Sequence, residues 1–238
     1  MKLLLCSSSS YKDTGYLTHT EDTMRQFISR IEPSITQALF IPYAGVTNSY
    51  DQYLQRVTPH FAGLGIDLLG LHQVDDPRQA LADAQLIIVG GGNTFALLSR
   101  LQQQGLLEVI REQVAAGTPY IGWSAGSNLA GMRISTTNDM PIVEPQDFNA
   151  LGLVPFLINP HFISGQIAGH NGESREQRLA EFMIMNPTDS VVAIHEGSAI
   201  IRDGDTLSLV GDDDGHLFLG GEQSSIARGR CDALLGAK

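Results

Sequence analysis

Residues 119–126 carry the sequence PYIGWSAG, in which an apolar segment is followed at once by small residues. The last five of them fit the pattern G-x-S-x-G, which is called a nucleophile elbow, with Ser124 at its centre. In such an elbow a strand turns sharply into a helix, and the serine hydroxyl is exposed where free N–H groups favour negative charge. The segment therefore predicts an α/β fold with Ser124 as nucleophile. The alternative is a tight turn that needs small residues only for packing.

Apolar runs alternate with amphipathic stretches on both sides of this turn. Such alternation is typical of a parallel sheet with right-handed crossovers and helices on both faces. The sequence therefore predicts a doubly wound, mostly parallel sheet. The predicted strands cover residues 2–6, 38–43, 66–71, 86–89 and 119–123; the predicted helices cover residues 20–31, 50–64, 77–84, 94–116 (with Gly105 as the point where this helix would break) and 124–132.

The C-terminal third has a different pattern, in which short strands are separated by acidic, glycine-containing turns. Strands are predicted at residues 191–194, 198–202, 207–210 and 216–219. Strands this close in sequence pair antiparallel, so we expect an antiparallel edge on the mostly parallel sheet. No linker or internal repeat interrupts the chain, and we assign residues 1–238 to one domain.

The composition is globular and excludes several classes of function. Hydrophobic residues make up 42% and charged residues 17% of the chain. The net charge of −11 disfavours nucleic acid and anionic membranes as partners, and no apolar run approaches the ~20 residues of a membrane span. Cys6 and Cys231 lack a CxxC spacing, which argues against a zinc or redox motif. We expect two free thiols in a reducing cytosol, with a disulfide between them as the alternative, and we predict no metal and no cofactor. Residues 1–6 run into four serines rather than a long apolar region, and we expect a cytoplasmic protein.

A glycine-rich segment, residues 90–94 (GGGNT), follows a predicted buried strand and precedes a predicted helix. It fits neither the dinucleotide-binding nor the P-loop pattern. Because ligands bind beyond the carboxyl ends of parallel strands, this segment and the serine turn should face one crevice. An N–H group of Gly91 or Gly92 would then join that of Ala125 in an oxyanion hole, each donor worth roughly 3 kcal/mol of barrier. The alternative is a flexible turn in which Asn93 caps the helix.

Serine hydrolysis also needs a general base, and two histidines are well placed to supply it. His161 follows the predicted strand at residues 156–158 through Asn159 and Pro160, so it should lie at a carboxyl end like the serine. His170 lies in a turn before a predicted helix. We favour His161, because a base needs a fixed position near its nucleophile, and keep His170 as the alternative.

The carboxylate that would orient the histidine has two candidates. Asp139 lies in a loop between the serine and the histidine, and Glu196 follows the predicted strand at residues 191–194. Either carboxylate can hold an imidazole in the tautomer that general-base catalysis requires. Each is equally explained as a solvated turn residue, and the sequence leaves the choice open.

Five segments of the chain form a recognisable set: residues 90–95 (GGGNTF), 122–126 (GWSAG), 159–162 (NPHF), 169–178 (GHNGESREQR) and 196–198 (EGS). Together they resemble peptidase E, the α-aspartyl dipeptidase family. The resemblance implies a flavodoxin-like fold, similar to that of class I glutamine amidotransferases but with serine in place of cysteine. It also implies metal-free hydrolysis of dipeptides that begin with aspartate. Ser127 and Ser174 stand where alanine and threonine are common in the family.

The resemblance also implies roles for individual residues. The family's serine and histidine correspond to Ser124 and His161, and its third member corresponds to Glu196 or Asp139. The resulting hypothesis is acyl transfer, in which the histidine deprotonates the serine and water later clears the acyl-enzyme.

An N-terminal aspartate brings a side-chain carboxylate that needs a cation in so acidic a chain. We predict Arg175, because a planar guanidinium binds a carboxylate through two parallel hydrogen bonds. The alternative is a surface arginine paired with a nearby glutamate. Asn93, Thr94 and His170 complete the predicted substrate-binding set.

Two other functions stay open at this point. One is a cyanophycinase-like peptidase that acts on aspartyl polymers, and the other is a non-catalytic binding protein on the same scaffold. A small peptide is the expected partner, and the sequence leaves open whether the chain forms a homodimer.

Overall fold

The computed structural model describes residues 1–166, 169 and 171–236, which form two β-sheets with helices packed against them. The strands are β1 (Lys2–Cys6), β2 (Gln37–Ile41), β3 (Asp67–Gly70), β4 (Ile87–Val89), β5 (Tyr120–Trp123), β6 (Leu157–Phe162), β7 (Val191–His195), β8 (Ala199–Asp203), β9 (Thr206–Val210), β10 (Gly215–Leu219), β11 (Glu222–Ile226) and β12 (Gly229–Arg230). The α-helices are α1 (Glu21–Ile28), α2 (Tyr50–Gly63), α3 (Pro77–Ala82), α4 (Thr94–Gln103), α5 (Leu107–Ala116), α6 (Ala125–Ala130) and α7 (Arg175–Met185).

The larger sheet has eight strands in the order β12-β9-β8-β1-β5-β4-β2-β3. The strands from β1 to β3 in this order are parallel, and β8, β9 and β12 form an antiparallel edge. Both faces are covered, since Leu3 and Leu5 belong to one apolar cluster and Leu4 and Cys6 to another. A strand buried on both faces is a continuous apolar run, as β1 is. The predicted doubly wound, mostly parallel sheet with an antiparallel C-terminal edge is confirmed.

A second sheet has four strands in the order β11-β10-β7-β6, whereas the sequence pattern places all strands in one sheet. Apolar periodicity identifies a strand but not its partner. Here β7 pairs with β6 and β10 rather than with the larger sheet. The strand β6 packs beside α6, where the Asn128 side chain donates to the Ile158 carbonyl (2.6 Å). The second sheet is therefore tied to the helix that follows Ser124.

The structure confirms the predicted break of one helix at Gly105 and extends one predicted strand, and β11 and β12 have no counterpart among the predicted strands. The helix predicted over residues 94–116 is two helices, α4 and α5, because Gly105 adopts the left-handed conformation (φ 63°) that ends a helix. The strand predicted over residues 156–158 continues to Phe162, so that His161 lies inside β6 rather than after it.

The cysteines and helices bear on two further expectations. Cys6 is buried and Cys231 is half-buried, and both are free thiols rather than partners in a disulfide, as expected. Within the described parts of the chain, every helix is too short or too polar to cross a membrane.

Candidate active site

Ser124 occupies the sharp turn between β5 and α6. Its backbone has a positive φ (φ 53°, ψ −113°), a strained conformation for a residue with a side chain and one that nucleophile elbows require. The Ser124 N–H donates to the Cys6 carbonyl of β1 (3.1 Å). The flanking glycines are needed for close packing: a Cβ at Gly122 would lie 2.6 Å from the Gly126 backbone, and one at Gly126 would lie 2.2 Å from the Val89 oxygen.

His161 and Glu196 complete a hydrogen-bonded chain that begins at Ser124. The His161 Nε2 lies 2.8 Å from Ser124 Oγ, and its Nδ1 lies 2.7 Å from Glu196 Oε1. His161 has a positive φ of 55°, and the pairing of β6 with β7 shifts register between Asn159 and Phe162. This irregularity explains how a residue inside a strand presents its side chain to the serine.

Ser7, the first residue after β1, forms a hydrogen bond with the backbone of His161. Its hydroxyl accepts a hydrogen bond from the His161 N–H (2.8 Å) and donates one to the Ile194 carbonyl (2.9 Å). The Ser7 N–H donates to the Ser198 carbonyl (2.9 Å). One buried serine therefore ties the larger sheet to both strands that position His161 and Glu196.

Asp139, the other candidate carboxylate, contacts the start of α4 instead of the histidine. Its Oδ2 accepts hydrogen bonds from the Thr94 N–H (2.7 Å), the Thr94 hydroxyl (2.6 Å) and the Thr137 hydroxyl (3.1 Å). A negative charge is stabilised there by the partial positive charge of the helix N-terminus. The structure thus brings Glu196 to His161 and places Asp139 and Thr94 in a contact between the 137–140 loop and α4.

The glycine segment lies directly against the serine turn. A Cβ at Gly91 would be 3.0 Å from Ser124 Cβ, and one at Gly92 (φ 137°) would be 2.2 Å from the Ala44 oxygen. In the described structure, the N–H groups of Gly91, Gly92 and Ala125 donate to no protein acceptor. These backbone groups are therefore free to bind an oxyanion near Ser124.

Asn93 follows this segment and is the N-cap of α4. Helix capping by Asn93 is part of the alternative interpretation that the sequence leaves open. Its Oδ1 accepts from the Ala96 N–H (3.0 Å), and its Nδ2 donates to the Met140 carbonyl (2.8 Å). Both polar ends of this side chain are engaged within the protein.

A cavity of about 480 Å³ opens beside the serine. Among the described residues, no Asp, Glu or Lys side chain lines the cavity, and Arg56 contributes the one arginine. Its lining includes Tyr16, Tyr53, Arg56, Gly91, Gly92, Asn93, Ser124 and His161.

Arg175 does not lie in this cavity. It lines a second one of about 240 Å³, because one face of α7 forms part of that wall, and its Nη1 donates to Asn138 Oδ1 (2.6 Å). Burial and the nearby Arg178 lower the pKa of Arg175. Arg175 therefore lines a cavity other than the one that contains Ser124, and its binding of the aspartyl carboxylate stays a prediction. His170 lies outside the described residues.

The sequence-based set omits Ser7 and Arg56. Ser7 follows β1 at a carboxyl end, so the rule that selects the serine turn also applies to it. Arg56 belongs to no motif, and its importance appears only once α2 is packed against the cavity. Among the described residues, no group of three or more His, Cys, Asp or Glu side chains is placed to hold a metal ion.

Comparison with known proteins identifies the family. Residues 3–210 match the model of the family described as "Peptidase family S51". The chain belongs to this family. A protein named Peptidase E from Shewanella amazonensis (strain ATCC BAA-1098 / SB2B) is 52% identical to this S51 chain over 230 residues, which are 96% of each chain. Another named Peptidase E, from Shewanella baltica (strain OS195), is 54% identical over 223 residues, 92% of this chain and 90% of the relative. The protein is a serine-type peptidase of the peptidase E group.

Two solved structures share the fold of this S51 peptidase. A Listeria monocytogenes EGD-e protein described as a peptidase E candidate superposes with a TM-score of 0.66 at 24% identity, over 89% of this chain and 98% of its own. A peptidase from an acI-B1 Actinobacterium gives a TM-score of 0.68 at 22% identity, over 94% and 96%. At these identities the likeness concerns the fold.

Proposed function

We propose that this S51 peptidase is a dipeptidase that hydrolyses peptides of the form Asp-X through an acyl-enzyme on Ser124. The observation that carries the proposal is the hydrogen-bonded chain from Ser124 Oγ through His161 to Glu196, with distances of 2.8 and 2.7 Å. His161 takes the serine proton as general base and returns it to the leaving amine as general acid. Glu196 accepts the Nδ1–H and stabilises the imidazolium that forms between these steps.

The oxyanion of the tetrahedral intermediate would be held by backbone donors. The N–H of Ala125 lies at the N-terminus of α6, and the N–H groups of Gly91 and Gly92 lie against the serine. A preorganised donor of this kind lowers the barrier by roughly 3 kcal/mol. The same contacts stabilise negative charge without a metal ion.

The substrate class rests on the resemblance to α-aspartyl dipeptidases and on the charge of the cavity. Its volume of about 480 Å³ lies within the range of small-molecule sites. Because no described acidic residue lines it, an anionic peptide meets less repulsion there than the net charge of −11 suggests. Arg175 stays the sequence-based proposal for the aspartyl carboxylate. If Arg175→Gln leaves the preference for Asp-Leu over Asn-Leu unchanged, that assignment is wrong.

The test is hydrolysis of Asp-Leu and Asn-Leu, with a chelator present, by the wild type and three variants. We expect Ser124→Ala to be inactive and Glu196→Gln to lose on the order of 10³–10⁴-fold in kcat, because the histidine loses the partner that fixes its tautomer. Asp139→Asn is the matched control, since it makes the same change in a carboxylate that contacts α4.

Each failure has a distinct meaning. An equal loss in Asp139→Asn and Glu196→Gln would contradict the assignment of the orienting carboxylate. A wild type that cleaves an aspartyl polymer but not Asp-Leu would support the cyanophycinase-like alternative. Activity lost with the chelator alone would refute the metal-free mechanism.

A further inference from the structure

Arg56 lies in the wall of the cavity that contains Ser124. It belongs to α2, three residues after Tyr53, so the two side chains are on the same side of the helix. Its guanidinium carbon lies 4.1 Å from the centre of the Tyr16 ring. The N–H groups of a guanidinium point outward in the plane of the group. When one face of the guanidinium packs on an aromatic ring, these N–H groups can still bind a planar anion.

Arg56 is exposed, and among the described residues its side chain forms no ion pair with an acidic group; its recorded contact is the one with the Tyr16 ring. Arg111 and Arg133, in contrast, pair with Glu108 and Asp189. Like Arg56, Arg30 is exposed and forms no ion pair among the described residues, but it lies outside the cavity. In a chain of net charge −11, an arginine that has no acidic partner and faces a cavity can bind an anionic group there.

The tyrosines that hold Arg56 connect it to the serine turn. The Tyr16 hydroxyl donates to the Tyr53 hydroxyl (3.2 Å), and the Tyr53 hydroxyl donates to the Gly91 carbonyl (2.9 Å). Gly91 lies directly against Ser124. The cation is therefore built into the same wall as the proposed oxyanion hole.

The geometry points to Arg56 as a carboxylate-binding subsite of the peptidase. In this subsite Arg56 binds a carboxylate of the peptide substrate beside the scissile bond. This inference rests on the proposed function and adds a specificity-determining residue to it. An Asp-X dipeptide offers two carboxylates, one on the aspartyl side chain and one at the C-terminus. Both are planar anions within one residue of the bond to be cleaved, so substrate analogues must distinguish them.

The experiment measures kcat/KM of the full-length wild type, Arg56→Gln, Arg56→Lys and Arg30→Gln on Asp-Leu, Asn-Leu and Asp-leucinamide. Arg30 is the matched control, because it is an exposed arginine outside the cavity. We expect Arg56→Gln to lose about 10–100-fold on Asp-Leu, as is typical when a charged hydrogen-bond partner is removed. Arg56→Lys should recover part of this loss, since it keeps the charge but not the planar fork.

The substrate ratios identify which carboxylate Arg56 binds. If it binds the aspartyl side chain, Arg56→Gln reduces the ratio of Asp-Leu to Asn-Leu and leaves the ratio of Asp-Leu to Asp-leucinamide as in the wild type. If it binds the C-terminus, the second ratio falls and the first is kept. Either result supports the inference, and a variant that keeps both wild-type ratios overturns it. Circular dichroism melting of all four proteins ensures that the comparison is between folded chains.

Failure of the proposed function shows separately in the wild type. A wild type that cleaves Asn-Leu as fast as Asp-Leu refutes the aspartyl specificity, and the leucinamide ratio alone then decides the role of Arg56. A wild type that shows neither preference makes both ideas wrong.

Discussion

Removing the Ser7 hydroxyl should weaken both the fold and the catalytic step, while removal of the hydroxyl beside it should not. Ser7 and Ser8 are both buried, at 0% and 1% exposure. The Ser7 hydroxyl bonds to His161 N–H and to the Ile194 carbonyl, whereas Ser8 Oγ has no hydrogen-bond partner among the described residues. Ser7→Ala and Ser8→Ala therefore each remove one buried hydroxyl, which is hydrogen-bonded in Ser7 and has no partner in Ser8.

The magnitude follows from the group that is left unpaired. A buried N–H without an acceptor costs about 1–3 kcal/mol, so Ser7→Ala should lower the free energy of unfolding by that amount. A shift of His161 that relieves this cost would lengthen its contact with Ser124. Each 1.4 kcal/mol of lost transition-state stabilisation is about tenfold in rate. We expect kcat to fall about tenfold or more. KM should change little, because Ser7 does not line the cavity.

Urea unfolding and steady-state kinetics on Asp-Leu check the two parts. Ser8→Ala should stay close to the wild type in both measurements. If Ser7→Ala and Ser8→Ala lose equal stability and equal kcat, the hydroxyl bonds of Ser7 do not position the histidine. A rise in KM at constant kcat would also contradict the reasoning, because it would indicate a direct role in substrate binding.

Three other predictions use features outside the catalytic chain. Gly126→Ala should lower the free energy of unfolding by about 3 kcal/mol or more, since its Cβ would meet the Val89 oxygen at 2.2 Å, whereas Gly63→Ala, with nothing within 4 Å, should change it little in the same urea titration. Burial and the neighbouring His195 lower the pKa of His216. Below about pH 6.5 the unfolded chain therefore binds a proton that the folded chain does not, and the free energy of unfolding decreases as the pH is lowered. His216→Gln should flatten that fall in urea unfolding between about pH 7.5 and 5.5, and an unchanged slope would contradict the shift. Burial raises the pKa of Cys6 to about 12, so a thiol reagent should modify Cys231 in the folded protein and Cys6 only after unfolding; equal rates in the folded state would refute this.

The sequence predicts every strand of the larger sheet except β12, because each of the other strands has a local signature. A strand covered on both faces must be apolar throughout, as Leu3, Leu4 and Leu5 are. The serine turn is equally local, since the glycines at positions 122 and 126 are dictated by contacts within the turn and with the neighbouring strand. Such features depend on residues close in sequence or on one adjacent strand.

Contacts between side chains that are far apart in the sequence could not be predicted. Asp139 and Glu196 both lie in loops near a predicted site, and only the pairing of β6 with β7 decides that Glu196 reaches His161. The same holds for the cations: Arg175 belongs to a motif yet faces another cavity, and Arg56 belongs to none. These outcomes depend on tertiary packing, which apolar periodicity does not encode.

The division of the site between two sheets determines how it should respond to mutation. The strands β6 and β7 are hydrogen-bonded neighbours, with Phe162 opposite His195, so the contact between His161 and Glu196 is set within the second sheet. Ser124 belongs to the larger sheet, and its distance to His161 depends on how the two sheets pack through Ser7 and α6. Changes at the junction should therefore lengthen the serine–histidine contact and leave the histidine–glutamate contact intact. His161, the proposed general base, would then keep its orientation but lie farther from Ser124, the proposed nucleophile, so kcat should fall before the substrate preference does.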